Sequence, residues 1–307
     1  HLEKGIEKVL VIKSTVPVGT CDEIKLMFNN DKQTKVDIVS NPEFLREGSA
    51  IQDFMCPDRI VIGSDNQKSI EILKNIYNKL ADLGYKIIYT NTKSAELAKY
   101  AANSFLAMKV SFINEISDLC ETTGADIDEV KNIIGSDKRI GEKFLQPGPG
   151  YGGSCFPKDL SSLVNLAKSN DNRIEIVEQV IASNDYRKSK LANRITSKLN
   201  QGRVSNITIL GVSFKAGTDD MRDSASLKLI PYLTKKGAKV SYYEPTGIKN
   251  DFDKIKVAYF NNIKDACKNS DLLIIHTEWN EFKQLNFNRL NSKKKFKIYD
   301  LRNLYSP

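Results

Sequence analysis

The sequence lacks CxxC spacing, a GxGxxG turn directly after a predicted strand, low-complexity runs and any apolar stretch near the roughly 20 residues that cross a bilayer. Its five cysteines are scattered and odd in number, which argues against a disulfide framework and a structural zinc site, so we expect no metal. The first residues, HLEK, carry no apolar signal-peptide core. These absences predict a cytoplasmic protein with reduced thiols and no membrane partner.

Length and charge limit the number of domains and the type of ligand. A chain of 307 residues with 40% apolar content is long enough for two or three domains. The net charge of +8 suits an anionic ligand or nucleic acid. However, the lysines are spread along the chain and no nucleic-acid-binding motif is present, so we expect no nucleic-acid partner.

Apolar runs alternate with amphipathic stretches at both ends of the chain, which predicts an α/β fold. Strands are predicted at 9–12, 37–40, 59–63, 86–89, 206–211, 239–243, 271–275 and 297–300, with helices starting near Cys21 behind a Thr20 cap and over 69–83 and 225–236. Between these regions, apolar residues from Leu97 to Leu119 recur every three or four positions and predict a long helix that stops near Gly124. Further helices are predicted over 126–135, 159–168 and 174–199.

The pattern predicts two doubly wound Rossmann-like domains joined by a long central helix and a helical region. The predicted domains are 1–91, which is incomplete at its N-terminus, 92–201 and 202–307.

Residues 147–159 (PGPGYGGSCFPKD) hold Cys155 in a glycine-rich turn beside Lys158 and Asp159. A thiol nucleophile needs an approachable backbone and nearby positive charge, which this turn can supply. Asp159, four residues later, can orient a water molecule. The alternative is a buried, inert cysteine at a loop-to-helix junction, where Gly152 and Gly153 serve only to allow positive φ.

Other candidate groups have weaker local signals. Lys99 and Asn103 are four residues apart on the predicted central helix, so both side chains can reach one oxyanion. The alternative is that Lys99 extends to solvent and Asn103 forms a hydrogen bond within its helix. Glu43 and Glu47 share this spacing and Thr15 follows the first strand, but surface carboxylates and a local turn bond are alternative explanations.

The turn after the predicted strand 206–211 continues as GVSFKAG, which lacks the dinucleotide spacing. A diphosphate at this strand end would be met by Lys215, Arg222 and backbone amides.

Six segments, in this order, resemble the UDP-glucose 6-dehydrogenase family from end to end. They are 14–19 (STVPVG), 41–48 (NPEFLREG), 99–103 (KYAAN), 152–159 (GGSCFPKD), 214–222 (FKAGTDDMR) and 300–302 (DLR). The resemblance implies an NAD-binding domain, a central helical connection that carries a homodimer contact, and a C-terminal UDP-binding domain. It also implies NAD-dependent, four-electron oxidation of UDP-glucose to UDP-glucuronate.

The resemblance assigns roles by position. Cys155 matches the nucleophile that forms a thiohemiacetal and then a thioester, and Lys99 with Asn103 matches the pair that stabilises the oxyanion. Asp159, Glu43 and Thr15 match groups that activate water and transfer protons. The matched substrate-binding residues are Phe44, Leu45, Lys99, Asn103, Arg139, Phe144, Tyr151, Gly152, Phe214, Lys215 and Arg302, with Arg139 reaching a neighbouring subunit's substrate. The matched cofactor-binding residues are Thr15, Glu47, Lys158 and Arg222.

Two departures from the family pattern are visible. Gln146 stands where some relatives carry a lysine, which removes one expected phosphate contact. The GxGxxG turn and the acidic ribose-binding residue should precede residue 1, so a polypeptide of residues 1–307 alone is expected to bind NAD weakly. Robust NADH formation by that polypeptide would contradict this expectation.

Three alternatives stay open at this point. GDP-mannose 6-dehydrogenases share the cysteine chemistry, and UDP-N-acetylmannosamine dehydrogenases share the architecture. The third alternative is a nucleotide-sugar-binding module without catalysis.

Overall fold

Two separate sheets carry the strands of this chain in the computed structural model, which describes residues 8–29, 35–197, 205–291 and 297–305. The chain divides into two units, His1–Ser104 with Ser162–Arg173 and Phe105–Ser161 with Ile174–Pro307. The predicted α/β class is confirmed. The predicted domain boundary at 201–202 lies outside the described residues.

The first unit contains a four-stranded sheet. Its strands are β1 (Lys8–Ile12), β2 (Val36–Ser40), β3 (Ile60–Gly63) and β4 (Ile87–Thr90), and its short helices are α1 (Thr20–Asn29), α2 (Ala50–Met55), α3 (Gln67–Ile76) and α4 (Asn78–Asp82). The order is β1-β2-β3-β4, with β1–β2 and β3–β4 parallel and β2–β3 antiparallel through the single pair Ser40 and Gly63. Val39, Ile62 and Leu73 pack in its core.

Two local predictions in this unit were wrong. The predicted 69–83 helix is divided at Tyr77, where φ −96° and ψ 8° lie outside the helical region. Thr20 is the first residue of α1 and not its cap, because its hydroxyl donates to the Pro17 carbonyl at 2.6 Å.

Four helices follow: α5 (Thr92–Thr123), α6 (Ile127–Ser136), α7 (Phe156–Ser169) and α8 (Glu175–Ser197). Gly124, with φ +79°, ends α5 as predicted, and the Asp126 carboxylate caps α6 by accepting from two backbone N–H groups. Helix α7 begins three residues before the predicted start at Asp159, so Cys155 directly precedes it. The last two residues of the predicted 174–199 helix lie outside the described residues.

The second sheet is entirely parallel. Its strands are β5 (Asn206–Leu210), β6 (Lys239–Tyr243), β7 (Val257–Phe260), β8 (Leu272–Ile275) and β9 (Lys297–Asp300), and its helices are α9 (Ser226–Lys235), α10 (Ile263–Cys267) and α11 (Phe287–Leu290). The order β7-β6-β5-β8-β9 is that of a doubly wound sheet, with the reversal between β5 and β8. Ligands of such sheets bind outside the carboxyl ends of the strands at this reversal.

Among the described residues, no helix is both long and apolar enough to cross a membrane.

Gly211, directly after β5, is required by both its backbone and its neighbours. Its φ is +76°, and a Cβ there would lie 2.4 Å from the Thr277 Cβ. We expect Gly211→Ala to lower the free energy of unfolding by about 3 kcal/mol, since left-handed strain and overpacking each cost about 1 to 2 kcal/mol. Gly217→Ala is the control, because Gly217 has φ +80° but open space around it. Equal losses in urea denaturation of the two variants would contradict the packing contribution.

Candidate functional site

Cys155 is an exposed thiol at the N-terminus of α7. The Asp159 N–H donates to the Cys155 carbonyl at 2.8 Å, which makes the first helical bond, and Ser154 Oγ lies 3.6 Å from Cys155 Sγ. The Asp159 carboxylate is buried, with the Lys158 ammonium 3.0 Å from its Oδ1. Because helix N-termini carry partial positive charge, this position attracts anions. The interpretation of Cys155 as a buried residue is therefore wrong.

The glycines before Cys155 pack against the loop over residues 214–223. A Cβ on Gly152 would lie 2.5 Å from the Asp223 carbonyl oxygen, and a Cβ on Gly153 would lie 2.8 Å from the Phe214 ring. The Gly153 N–H also donates to the Arg222 carbonyl at 2.7 Å. Only glycine allows this approach, so the residues predicted for the nucleophile and for the nucleotide are neighbours in the second unit.

Arg302 holds the loops that follow β5 and β8. Its guanidinium donates to the Phe214 carbonyl at 2.9 Å and to the His276 carbonyl at 2.8 Å, and it pairs with Glu278 at 2.9 Å. The Lys215 ammonium lies 5.4 Å from the centre of the Phe214 ring. Arg302 thus shapes the strand ends at the reversal of the sheet.

Two other predicted arginines pair with an aspartate two residues earlier. Arg222 contacts Asp220 at 2.8 Å and Arg139 contacts Asp137 at 2.6 Å, and both arginine side chains are exposed. Hydrogen bonds from Arg139 hold the pKa of the Asp137 carboxyl below its usual range. Both guanidinium groups lie at the surface, where they can bind an anion.

Aromatic rings stabilise the start of α7. Phe156 packs edge-on against the buried Tyr151 at 5.9 Å and lies 6.2 Å from Phe144, which has φ +65°. Burial raises the pKa of the Tyr151 hydroxyl. Gln146, the departure from the family lysine, donates to the Arg302 carbonyl at 3.1 Å, so its amide has a structural contact.

In the first unit, the buried Lys99 forms an ion pair with Glu43, whose side chain is 29% exposed. The Lys99 side chain is only 4% exposed, and its ammonium lies 3.6 Å from Glu43 Oε1. The other Glu43 oxygen accepts from the Leu45 N–H at 2.5 Å. Phe44 stacks beneath both the Lys99 ammonium, at 5.0 Å, and the Arg59 guanidinium, at 3.6 Å. The interpretation of Lys99 as extended to solvent is therefore wrong.

The other predicted residues of this unit differ in exposure. Asn103, one turn after Lys99 on α5, is buried. Thr15 is half-buried in the turn after β1, whereas Glu47 is exposed. The structure thus gathers Lys99, Glu43, Phe44 and Leu45 within the first unit, and Cys155, Asp159, Gly152 and Phe214 within the second. In the described ranges, no group of three His, Cys, Asp or Glu residues could hold a metal.

Glu96 was missed by the sequence analysis. Its buried carboxylate accepts from the Gly19 N–H at 2.7 Å and from the Cys21 N–H at 2.9 Å, at the start of α1. The pKa of the Cys21 thiol is raised to about 12, mainly by burial and to a smaller extent by the neighbouring Glu96 carboxylate. A glutamate on α5 therefore fills the anion-binding end of α1.

A second missed cluster lies at the ends of β1 and β2. Tyr77 donates to the Asn41 side-chain oxygen at 2.6 Å, and the Lys13 ammonium donates to the same oxygen at 3.0 Å. Desolvation lowers the pKa of Lys13, although the charge of Glu43 opposes this. The cluster anchors the segment that carries Glu43. In the sequence, the only sign of this cluster is the NPEF motif, which begins at Asn41.

His276, after β8, gives a prediction for stability. The imidazole is fully buried. Its pKa is lowered to about 3, mainly by this burial and to a smaller extent by the positive charges of Arg302 and Lys188. The unfolded chain binds this proton below about pH 6.5 while the native state does not, so stability is complete above that pH and falls as pH drops towards 3. Between pH 7 and 4.5 we expect a loss of about 2.5 kcal/mol from this group.

The measurement is urea denaturation at both pH values for the wild type and for His276→Asn. The asparagine variant should lose about 2.5 kcal/mol less than the wild type over this range, because it cannot titrate. Identical pH dependence in the two proteins would contradict the prediction.

Comparison with known proteins extends over nearly the whole chain. Three domain models of the UDP-glucose/GDP-mannose dehydrogenase family match it: the NAD binding domain at residues 1–81, the central domain at 93–186 and the UDP binding domain at 208–307.

The UDP-glucose 6-dehydrogenase of Rickettsia prowazekii is 44% identical over 99% of this chain and 70% of the relative. That of Rhizobium meliloti is 46% identical over 97% of this chain and 69% of the relative. The structure of a UDP-glucose dehydrogenase from Pyrobaculum islandicum aligns with a TM-score of 0.87 and 32% identity, over 96% of this chain and 67% of that one. The chain therefore belongs to the UDP-glucose/GDP-mannose dehydrogenase family of NAD-binding oxidoreductases.

Proposed function

We propose that this chain oxidises UDP-glucose to UDP-glucuronate, in two NAD-dependent steps, through a covalent intermediate on Cys155. The observation that carries the proposal is the exposed Cys155 thiol, held at the N-terminus of α7 by a glycine loop that packs on residues 214–223. The relatives with 43–46% identity carry the name UDP-glucose 6-dehydrogenase, which supports this substrate.

The proposed role of Cys155 is to retain the aldehyde between the two oxidations. The thiolate adds to the aldehyde carbon, a C–S bond forms, and the carbonyl oxygen takes the electron pair as a thiohemiacetal oxyanion. Oxidation of this adduct gives a thioester. Water then adds to the thioester carbonyl, the C–S bond breaks, the sulfur leaves as thiolate and the carboxylate product carries the second oxygen.

The remaining catalytic groups have proposed roles that their chemistry supports. Lys99 and Asn103 donate hydrogen bonds to the oxyanion, and the near-complete burial of Lys99 strengthens such a charge interaction. Asp159, Glu43 and Thr15 orient water and accept its proton. Glu43 suits this role because its Oε2 is fixed by the Leu45 N–H and its Oε1 faces the Lys99 ammonium.

For NAD, the proposed contacts do not include the N-terminus of α1. Thr15 follows β1, at a strand end where nucleotides bind, and Glu47 is exposed. The Gly19 and Cys21 N–H groups at the start of α1 already donate to Glu96, and the Thr20 N–H donates to the Pro17 carbonyl, so this helix does not offer them to a diphosphate. We propose Thr15, Glu47, Lys158 and Arg222 as cofactor-binding residues. When bound, NAD⁺ supplies the hydride acceptor for both oxidations.

The proposed nucleotide-sugar site uses the carboxyl ends of β5 and β8. Phe214, Lys215 and Arg302 surround this end of the sheet, which is the binding position of a doubly wound fold. Phe44, Leu45, Arg139, Phe144, Tyr151 and Gly152 complete the proposed substrate residues, and the proposed domains are 1–91, 92–201 and 202–307.

The test is a product assay on the full-length protein with NAD⁺. We expect two NADH per UDP-glucose and a product with the mass of UDP-glucuronate. GDP-mannose and UDP-N-acetylmannosamine are the competing substrates, and a higher kcat/KM for either would reject UDP-glucose. Binding of UDP-glucose without NADH formation would support a binding module instead.

We also propose that the chain forms a homodimer through α5. Phe105, Phe112 and Leu119 are spaced seven residues apart on this helix and are 60%, 51% and 58% exposed. A repeat of seven aligns apolar side chains along one helix face, which suits pairing with a second helix. The exposed Arg139 side chain supports its proposed contact with a neighbouring subunit's substrate.

Phe112→Glu is expected to convert the dimer into a monomer, because it places a charge in the apolar face. Light scattering with size-exclusion chromatography measures the mass. Ile133→Glu is the control, since Ile133 is 69% exposed on α6. A dimeric Phe112→Glu variant, or a monomeric wild type, would contradict the proposal.

A further inference from the structure

One face of α8 holds the loop that carries Cys155. Asn184, Arg187 and Lys188 are all buried, and their spacing of three and four residues places them on one side of the helix. None of them is part of a motif that marked the site in the sequence. Each of them bonds a main-chain group of a loop in the second unit, and Arg187 also bonds the Asn114 carbonyl and the Asp118 carboxylate of α5.

Asn184 makes the closest contact with the loop. Its side-chain oxygen accepts from the Tyr151 N–H at 2.8 Å, and its side-chain amide donates to the Tyr151 carbonyl at 3.1 Å. A single side chain therefore satisfies both main-chain groups of one residue, four positions before Cys155. Gly150, with φ +117°, permits this approach, because a Cβ there would lie 2.8 Å from the Asn184 oxygen.

The flanking residues extend this contact. Arg187 donates to the Gly148 carbonyl at 3.1 Å, and the Asn114 side chain accepts from the Gly148 N–H at 2.8 Å. Lys188 donates to the Asp223 carbonyl at 2.9 Å, in the loop on which the cysteine loop packs. Helix α8 thus fixes both sides of the glycine turn.

We propose that Asn184 is a positioning residue for Cys155, which acts through the main chain of Tyr151. This inference rests on the proposed covalent role of Cys155. The turn over 150–153 contains three glycines and has little stiffness of its own, so the two bonds from Asn184 fix where α7 begins and where the sulfur points. A nucleophile displaced by about 1 Å loses about a hundredfold in rate.

The first test is steady-state kinetics of Asn184→Ala in the full-length protein. We expect kcat to fall about 30- to 100-fold and KM for UDP-glucose to change by a smaller factor, because Asn184 bonds the main chain of Tyr151, whose displacement moves the sulfur as well as a proposed substrate contact. Asn193→Ala is the matched control on the same helix. The Asn193 side chain bonds to the Tyr232 hydroxyl at 2.5 Å, away from the loop, so kcat should stay at the wild-type value.

The second test needs no substrate. Iodoacetamide alkylation, followed by peptide mass spectrometry, gives the rate at Cys155 relative to Cys56, which is the other exposed cysteine. Cys155 is already exposed, so a looser turn does not make the sulfur more accessible to the reagent. A looser turn does move the sulfur away from the helix N-terminus, which favours the reactive thiolate. We therefore expect this ratio to fall at least about threefold in Asn184→Ala.

Asn184→Asp covers the case in which the alanine variant does not fold. It keeps an acceptor for the Tyr151 N–H but loses the donor to the Tyr151 carbonyl, so both readouts should fall to intermediate values. A wild-type kcat and alkylation ratio in either folded variant would overturn the positioning role. That result is distinct from failure of the proposed function, which would appear as two-NADH turnover in a protein without the Cys155 thiol.

Discussion

Cys155→Ser is expected to lower kcat for UDP-glucuronate formation by at least about a thousandfold, within the range for loss of a covalent nucleophile. A serine hydroxyl is a much weaker nucleophile than a thiolate and cannot hold the aldehyde for its second oxidation. The first oxidation needs no thiol, so NADH in a single turnover should fall from two towards one per UDP-glucose.

The control for this variant is Cys56→Ser. Cys56 is also exposed, but it ends α2 in the first unit and has no proposed role. Its kcat should stay within about twofold of the wild type, as for ordinary surface substitutions. Mass spectrometry of the quenched wild-type enzyme should find the sugar nucleotide on the Cys155 peptide. Two NADH per UDP-glucose at the wild-type rate in Cys155→Ser would reject the covalent mechanism.

The sequence predicts most of the fold because its strands are local signals. Eight strands stand out as short β-rich runs, and the strict three- and four-residue spacing of α5 marks a single long helix. The strand β7 (VAYF) was missed, and neither its length nor its edge position explains this, because β4 and β9 are equally short edge strands that the sequence did predict. The break in the helix is at Tyr77, whose hydroxyl makes a tertiary hydrogen bond to Asn41, 36 residues away, and such a contact leaves no local signal in the sequence.

The candidate site is predictable where motif and chemistry coincide, as at Cys155. The groups that hold such residues in place are different. Glu96 reaches Gly19 across 77 positions and Asn184 reaches Tyr151 across 33, and neither spacing leaves a periodic signal. Each side chain satisfies backbone groups that only the folded chain brings near. A single sequence therefore indicates reacting groups better than the residues that orient them.

Lys99→Met is expected to lower kcat about 100- to 1,000-fold, the cost of removing one oxyanion donor of about 3 to 4 kcal/mol. Methionine keeps the length of the side chain and packs well in a buried site, so the variant should fold. It also leaves Glu43 without its buried partner, which weakens the proposed acid and base function in the same variant.

Lys93→Met is the matched control on α5, because Lys93 is exposed and forms only a surface ion pair with Asp22 at 3.0 Å. Surface pairs of this kind contribute about 0 to 1 kcal/mol, so its kcat should be close to the wild-type value. Lys99→Arg tests whether the positive charge alone is sufficient. The variant keeps the charge, but a planar guanidinium is larger than an ammonium and cannot take its position over the Phe44 ring. We therefore expect Lys99→Arg to recover at most part of the loss, and a wild-type kcat in Lys99→Met would exclude Lys99 from stabilising the oxyanion.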